Sequence, residues 1–463
     1  MNEKSSPTNG DHLKLVITLD ASVGDAIRII ENSILKTAFV LDERHFLRGI
    51  VTNGDLRRFL LGGGDIEDAV EKVMNVNFSA VKIDAFPEET LKLFDLGYSV
   101  VPRVDDNGRF VDYVTPEISK QLDEVGLVYV RARAPARISF AGGGTDLTYF
   151  FSRLNGLVLN AALARYAVAT LLPRTTPDID IYLNDLGTHQ HFSSLSEIND
   201  YSEQSLVSAT VSLIKPQFGF EIHISSDFPV GSGLGGSSAV TTSVIAAFNE
   251  LRTDRWSRYE IATLAFQAER ICFKVNGGWQ DQYASAFGGF NLIDFSPNMN
   301  NVHSLRLPLE VLDELEESLL LFDTGIAHDS SDLHIMQKAE MSSPDGDATL
   351  SRLTEFCVQM NQYLSRGELR RFGLGLHEAW LLKKQTSRAI SSPEIDVLYS
   401  AAREAGAVGG KLLGAGAGGH MLFFVPPAAR KNVIDALSPM GCKYSNVRFD
   451  LRGAHSWRSR SSL

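Results

Sequence analysis

The chain has 463 residues, 44% of them hydrophobic and 22% charged, a balance ordinary for a soluble globular protein with several packed cores. A formal net charge of −12 argues against a general nucleic-acid binder and against docking on anionic lipid, and no apolar run approaches the ~20 residues that span a bilayer. Three scattered cysteines, Cys272, Cys357 and Cys442, form no CxxC pair; they suggest neither a disulfide framework nor a zinc site and point to a reducing cytoplasm. Residues 1–12 are a polar tail without the apolar core of a signal peptide. The next elements are a strand over Leu15–Leu19, a helix over Val23–Ser33, strands over Ala38–Leu41 and Arg48–Val51, and a helix starting at Gly54–Leu61. The order recurs as a strand (Ala80–Ile83), a helix (Pro87–Leu96) and strands over Ser99–Val104 and Phe110–Val114. This predicts an internal repeat over 13–75 and 76–120. A helical connector over Thr115–Leu127 leads to Gly-rich loops and long helices, with a shift in texture near Glu310–Asp323. Two further α+β lobes are expected over 130–315 and 316–463.

One loop stands out. Phe220, Ile222 and Ile224 alternate with polar residues, as in a half-buried strand. Asp227-Phe-Pro-Val-Gly-Ser-Gly-Leu-Gly-Gly-Ser-Ser-Ala239 follows, and then a helix with Val240, Val244, Phe248 and Leu251 on one face. A strand thus runs through Gly and Ser into a helix N-terminus, whose free N–H groups and partial positive charge suit a polyphosphate. The loop lacks the Walker pattern GxxxxGK[ST].

Downstream, helical spacing puts Glu269 on an apolar face with Ala262, Ala265 and Phe266. A carboxylate there is either a metal ligand or a core group satisfied by Arg270 or backbone. Asp281, in Gly277-Gly-Trp-Gln-Asp-Gln-Tyr283, is expected on a Gly-flanked turn, as either a functional carboxylate or an Asx-turn or helix cap. Phosphoryl transfer from ATP needs both a metal and a group that orients or deprotonates the attacking hydroxyl. Glu269 and Asp281 suit those roles.

Three motifs resemble those of the GHMP kinases, in the family's order. They are Pro135-Ala-Arg-Ile-Ser-Phe-Ala-Gly-Gly-Gly-Thr-Asp146, the loop Pro229–Ala239, and Lys411-Leu-Leu-Gly-Ala-Gly-Ala-Gly-Gly419. The resemblance implies a two-lobed α+β fold with a ferredoxin-like C-terminal lobe and the active site between the lobes. It implies that ATP phosphates lie on Pro229, Gly231, Gly233, Leu234, Gly235, Gly236, Ser237 and Ser238, with Mg2+ held by Ser238 and Glu269. Asp281 becomes the catalytic base and Arg137 the cation near the reacting hydroxyl. Gly143, Gly144, Thr145 and Asp146 bind the substrate, and Gly416 and Gly418 steady it. Gly236 departs from the family's GLGSS pattern and shifts the serines by one position. Ala141–Asp146, Gly231–Ser238, Gly278–Ala284 and Ser456-Trp457 are similar to the D-glycero-D-manno-heptose 7-phosphate kinases, which phosphorylate an anomeric hydroxyl. Fucokinases share parts of the pattern. A non-catalytic sensor on the same fold would not need Ser238, Glu269, Asp281 and Arg137 together.

A phosphorylated substrate needs cations away from the ATP loop. Lys383, Lys384 and Arg388 are candidates, or else a solvated basic face; Arg165 and Arg174 are weaker ones. His189 and His191 lack a third metal ligand. The N-terminal repeat resembles a CBS-domain pair. Gly49-Ile-Val-Thr-Asn-Gly-Asp55 matches that family's nucleotide motif, with Thr52 for a phosphate and Asp55 for ribose hydroxyls of an adenine nucleotide. The second copy has Ile118 where Asp is expected, so at most one site is implied. A purely structural dimerisation module is the alternative, and such pairs stack, which implies a homodimer.

Overall fold

A computed structural model describes residues 15–33, 35–116, 128–200, 205–326, 330–341 and 344–460. Most of the expected connector over Thr115–Leu127, and with it Ile118, lies outside them. The chain divides into two units, Met1–Gly126 and Leu127–Leu463. Among the described residues no helix is long and apolar enough to cross a membrane.

In the first unit β1 (Val16–Thr18) pairs parallel with β2 (Thr37–Leu41), and β2 pairs antiparallel with β3 (Leu47–Thr52). The same arrangement recurs with β4 (Val81–Lys82), β5 (Val101–Val104) and β6 (Phe110–Val114). Both hairpins slip register at matching places, Val40/Leu41 and Arg103/Val104. The first copy is the better packed. Its helix Val23–Asn32 opens on a Ser22–Asp25 capping box and buries Val23, Ala26 and Ile30. The helix Pro87–Asp95 of the second copy buries only Thr90.

In the second unit a mixed sheet carries β7 (Val128–Ala141), β8 (Gly156–Arg174), β9 (Ile179–Leu183), β10 (Thr188–Phe192), β11 (Gly219–Ser226), β12 (Phe290–Phe295) and β13 (Asn300–Leu305). Its order is β10-β9-β11-β8-β12-β13, with β7 also on β8. The helix Gly236–Leu251 is buried along most of its length against this sheet. A second sheet has β14 (Leu319–Asp323), β15 (Gly409–Leu412), β16 (His420–Phe424) and β17 (Lys443–Asn446) in the order β15-β16-β14-β17. All its pairs are antiparallel. Helices separate β14 from β15 and β16 from β17, which is the βαββαβ order of a ferredoxin-like lobe. The expected second lobe over 316–463 loses its last strand, because β18 (His455–Arg460) pairs with β7 in the first sheet.

One core underlies both lobes. Phe140 of β7 meets Phe372 of the second lobe edge-on at 5.1 Å and stacks on Phe290 of β12 at 6.2 Å. Aromatic contacts of this kind add to the area that they bury and tie the two sheets together beneath the cleft between them.

Candidate active site

The cleft is a cavity of roughly 700 Å3 lined from both lobes. Its apolar end includes Leu183, Leu186, Val207 and Phe228, and its polar end Arg137, Asp146, Asp281, Lys383 and Lys411. Between them β11 delivers the loop. Gly231, Gly233 and Gly235 all have left-handed backbone, at φ 74°, 76° and 74°, and the buried helix begins at Gly236. At Gly236 a Cβ would come within 2.7 Å of the Phe228 ring. That contact explains glycine where the family pattern has serine. The loop is stitched to the other lobe, since His420 donates its backbone N–H to Ser232 O at 3.1 Å. Gly233 and Gly414 are interlocked: a Cβ on Gly414 would sit 2.6 Å from Gly233 Cα.

Arg137 reaches the loop because β7 is broken just before it. Register slips between Pro135 and Arg137, where proline has no N–H for the ladder. The Arg137 amide donates to Leu234 O at 2.8 Å instead. Its guanidinium grips Asp281 with two bonds of 2.7 Å and gives a third, of 2.6 Å, to Gly233 O. Asp281 stands in the first turn of the helix Gln280–Phe287 rather than on a turn. Asp146 accepts from Gly144 N at 2.9 Å and Gln280 N at 3.2 Å. Burial, and then the Asp281 carboxylate, push its carboxyl above the usual range.

Glu269 is placed by an irregularity that periodicity did not predict. The helix Arg258–Phe266 continues as a π-helical turn, Gln267–Cys272. Such turns cluster at functional sites. The Glu269 carboxylate is fully buried and accepts from Ser237 Oγ at 2.9 Å and Gln282 Nε2 at 3.0 Å, with Arg270 3.5 Å away. Ser237 thus faces Glu269, whereas Ser238 is buried with no hydrogen-bond partner for its Oγ among the described residues. One carboxylate and two hydroxyls are hard oxygen donors. Such donors suit a divalent cation; of the three residues Ser237 lines the cleft, and Ser238 and Glu269 lie outside its lining.

Several expected site residues lie elsewhere. Thr145 is buried, donating to Gly142 O at 2.8 Å and accepting from Leu157 N at 3.0 Å, so it shapes the turn. Leu234 is a core residue. Gly416 packs on Ile390, and both it and Gly418 are outside the lining, which Gly414 and Ala415 supply. Lys384 pairs with Asp396 at 3.1 Å and sits over Trp380. Lys383 by contrast is buried in the cleft wall. Arg174 bonds Asp180 and Glu221 on the sheet, and His189 and His191 both bond Asp180. Arg165 and Arg388 do not line the cleft. In the first unit Thr52 and Asp55 form a capping box, joined by a 2.6 Å bond, and Arg58 takes the other Asp55 oxygen.

Ser139, Gln280, Gln337 and Lys411 also line the cleft. Sequence reasoning did not single them out. For Lys411 there was a signal, a lone lysine in the apolar run Gly-Gly-Lys-Leu-Leu.

Comparison with known proteins agrees with this geometry. Models of the GHMP kinases N terminal domain and of the GHMP kinases C terminal match residues 205–289 and 360–441, and a CBS domain model matches residues 14–62. The D-glycero-alpha-D-manno-heptose 7-phosphate kinase of Campylobacter jejuni is 33% identical over 335 residues, 71% of this chain and 99% of that one. The L-fucokinase/L-fucose-1-P guanylyltransferase of Bacteroides fragilis is 27% identical over 339 residues, 66% of this chain and 35% of the relative. A crystal structure of a D-glycero-D-manno-heptose 1-phosphate kinase from Bacteriodes thetaiotaomicron superposes with a TM-score of 0.61 at 29% identity, over 72% of this chain and all of that one. With the loop, the paired Arg137 and Asp281 and the two-lobed cleft in place, the chain belongs to the GHMP kinase family: it is an ATP-dependent sugar kinase that carries a CBS domain ahead of its catalytic unit.

Proposed function

We propose that the acceptor is a heptose 7-phosphate and that its anomeric hydroxyl is phosphorylated, converting D-glycero-D-manno-heptose 7-phosphate to the 1,7-bisphosphate. The observation that carries this reading is the Arg137–Asp281 pair beside the loop, in a chain 33% identical to a heptose 7-phosphate kinase along nearly all of that relative. The loop N–H groups at the head of the helix Gly236–Leu251 take the ATP phosphates. Glu269 and a serine hydroxyl would hold Mg2+, which supplies charge neutralisation on those phosphates. Arg137 fixes Asp281 by a two-point grip, so the carboxylate meets the acceptor in one orientation. The anomeric oxygen bonds to the γ-phosphorus while the bond to ADP breaks, and Asp281 takes the hydroxyl proton. Asp146 orients neighbouring hydroxyls.

Phosphorus NMR of turnover mixtures tests this. With heptose 7-phosphate a new anomeric phosphate signal should grow, and a non-anomeric product, or turnover of fucose alone, would overturn the assignment. Asp281→Asn should keep ATP affinity by calorimetry and lose about 10²–10⁴-fold in kcat. Undiminished turnover would remove Asp281 from its role.

For the first unit we propose two roles. One is an adenine nucleotide held at Thr52 and Asp55, supported by their place at a helix N-terminus. The other is a homodimer contact, supported by exposed apolar side chains on that unit.

A further inference from the structure

Two ammonium groups floor the polar end of the cleft. Lys411 of β15 is 2% exposed, and Lys383, in the last turn of the helix Leu369–Lys384, is 7% exposed. Neither has a carboxylate within ion-pair distance among the described residues. Lys383 Nζ donates to Gly414 O, and Lys411 Nζ donates to Phe140 O at 3.1 Å. An ammonium has three N–H donors, so each lysine keeps two that no group among the described residues takes. A buried charge without a partner is costly, and a core in need of packing alone would place a Leu or Met there.

Arg137, Lys383 and Lys411 face two carboxylates, Asp281 and Asp146. Arg137 already grips Asp281 through two bonds. Burial, and then the Asp281 charge, raise the Asp146 pKa. The two lysines repel each other and Arg137, and burial and that repulsion both lower the Lys411 pKa. In the same lining Ser139 Oγ and Gln280 Oε1 are buried without a hydrogen-bond partner among the described residues. The site therefore has free N–H donors and unused polar atoms around open space.

We propose that Lys383 and Lys411 form the seat for a phosphate carried by the acceptor sugar, separate from the loop that takes the ATP phosphates. The proposal rests on the sugar-phosphate reading above. Position favours the acceptor over ATP. Lys411 holds the carbonyl of Phe140, just before the glycine turn that ends in Asp146, and the Asp146 carboxylate acts on Lys383. The loop N–H groups, Ser237 and Glu269 are left to serve the nucleotide.

The test uses the full-length protein with heptose 7-phosphate and with the free heptose. For wild type, kcat/KM should favour the phosphorylated sugar. In Lys383→Met and Lys411→Met that preference should fall at least tenfold, through KM for the phosphorylated acceptor, with KM for ATP little changed. Equal losses with both sugars, or a fall in kcat alone, would assign the lysines to the transferring phosphoryl group or to packing and overturn the seat. A wild type that turns over the free sugar alone would sink the substrate reading and the seat with it. A second measurement needs no variant: inorganic phosphate should inhibit wild type competitively against the phosphorylated acceptor and not against ATP. Competition against ATP alone would also overturn the proposal.

Discussion

Lys383 and Lys384 are one residue apart, which on a helix is a rotation of about 100°. That rotation puts one in the cleft and the other on Asp396. The cost of the first position has a direction. Burial, and then the Arg137 charge, hold the Lys383 pKa down at about 8 against an ordinary 10.5. Between those values the unfolded chain binds the extra proton, so this group makes stability rise with pH through that window. Below pH 8 its charge is a burden, up to about 3 kcal/mol. Urea denaturation in phosphate-free buffer should show Lys383→Met ahead of wild type near neutrality, with the lead shrinking toward pH 10.5. A lead that does not change with pH would mean that Lys383 titrates normally. Residue chemistry was partly legible in the sequence. Arg137, Glu269 and Asp281 could be picked out by type and motif, yet that Arg137 grips Asp281 depends on a break in β7, and no spacing rule reports it.

Among the elements, those with clear periodicity follow the sequence to within a residue or two. The expected strand Ala80–Ile83 shrinks to Val81–Lys82, and the helix Pro87–Leu96 closes at Asp95. The turn that presents Glu269 was not legible, because a π-helical turn inserts a residue into a ladder that periodicity assumes regular. The helix Pro87–Asp95 carries its own prediction. Leu91 is 52% exposed, while Phe86 and Leu96 at its ends are 74% and 75% exposed. These side chains are proposed as the contact with a second copy of the chain. Sedimentation of the full chain should give the mass of two copies for wild type and one for the double variant Phe86→Glu, Leu96→Glu. A wild type that sediments as a single copy at micromolar concentration would end that reading.

For the whole molecule, the proposed nucleotide site in the first unit predicts a second binding event. Calorimetric titration of the full chain with ATP should resolve two sites in wild type and one in Asp55→Asn, with turnover retained. One site in both would leave Thr52 and Asp55 as a helix cap and nothing more, the use the structure already shows. The lobe boundaries were legible only in outline, since sequence order suggested that each lobe keeps its own strands. β18 shows otherwise, and its pairing with β7 bears on how the molecule is made. β7 leaves the ribosome early, while the strand that covers its edge follows roughly 300 residues later. At synthesis rates of about 5–20 residues per second, that edge stays open for tens of seconds. During that time it is a template for pairing with another chain. The sheet that holds the ATP loop is therefore completed after translation of the second lobe, so nascent chains stalled between the lobes would be the species most in need of a chaperone.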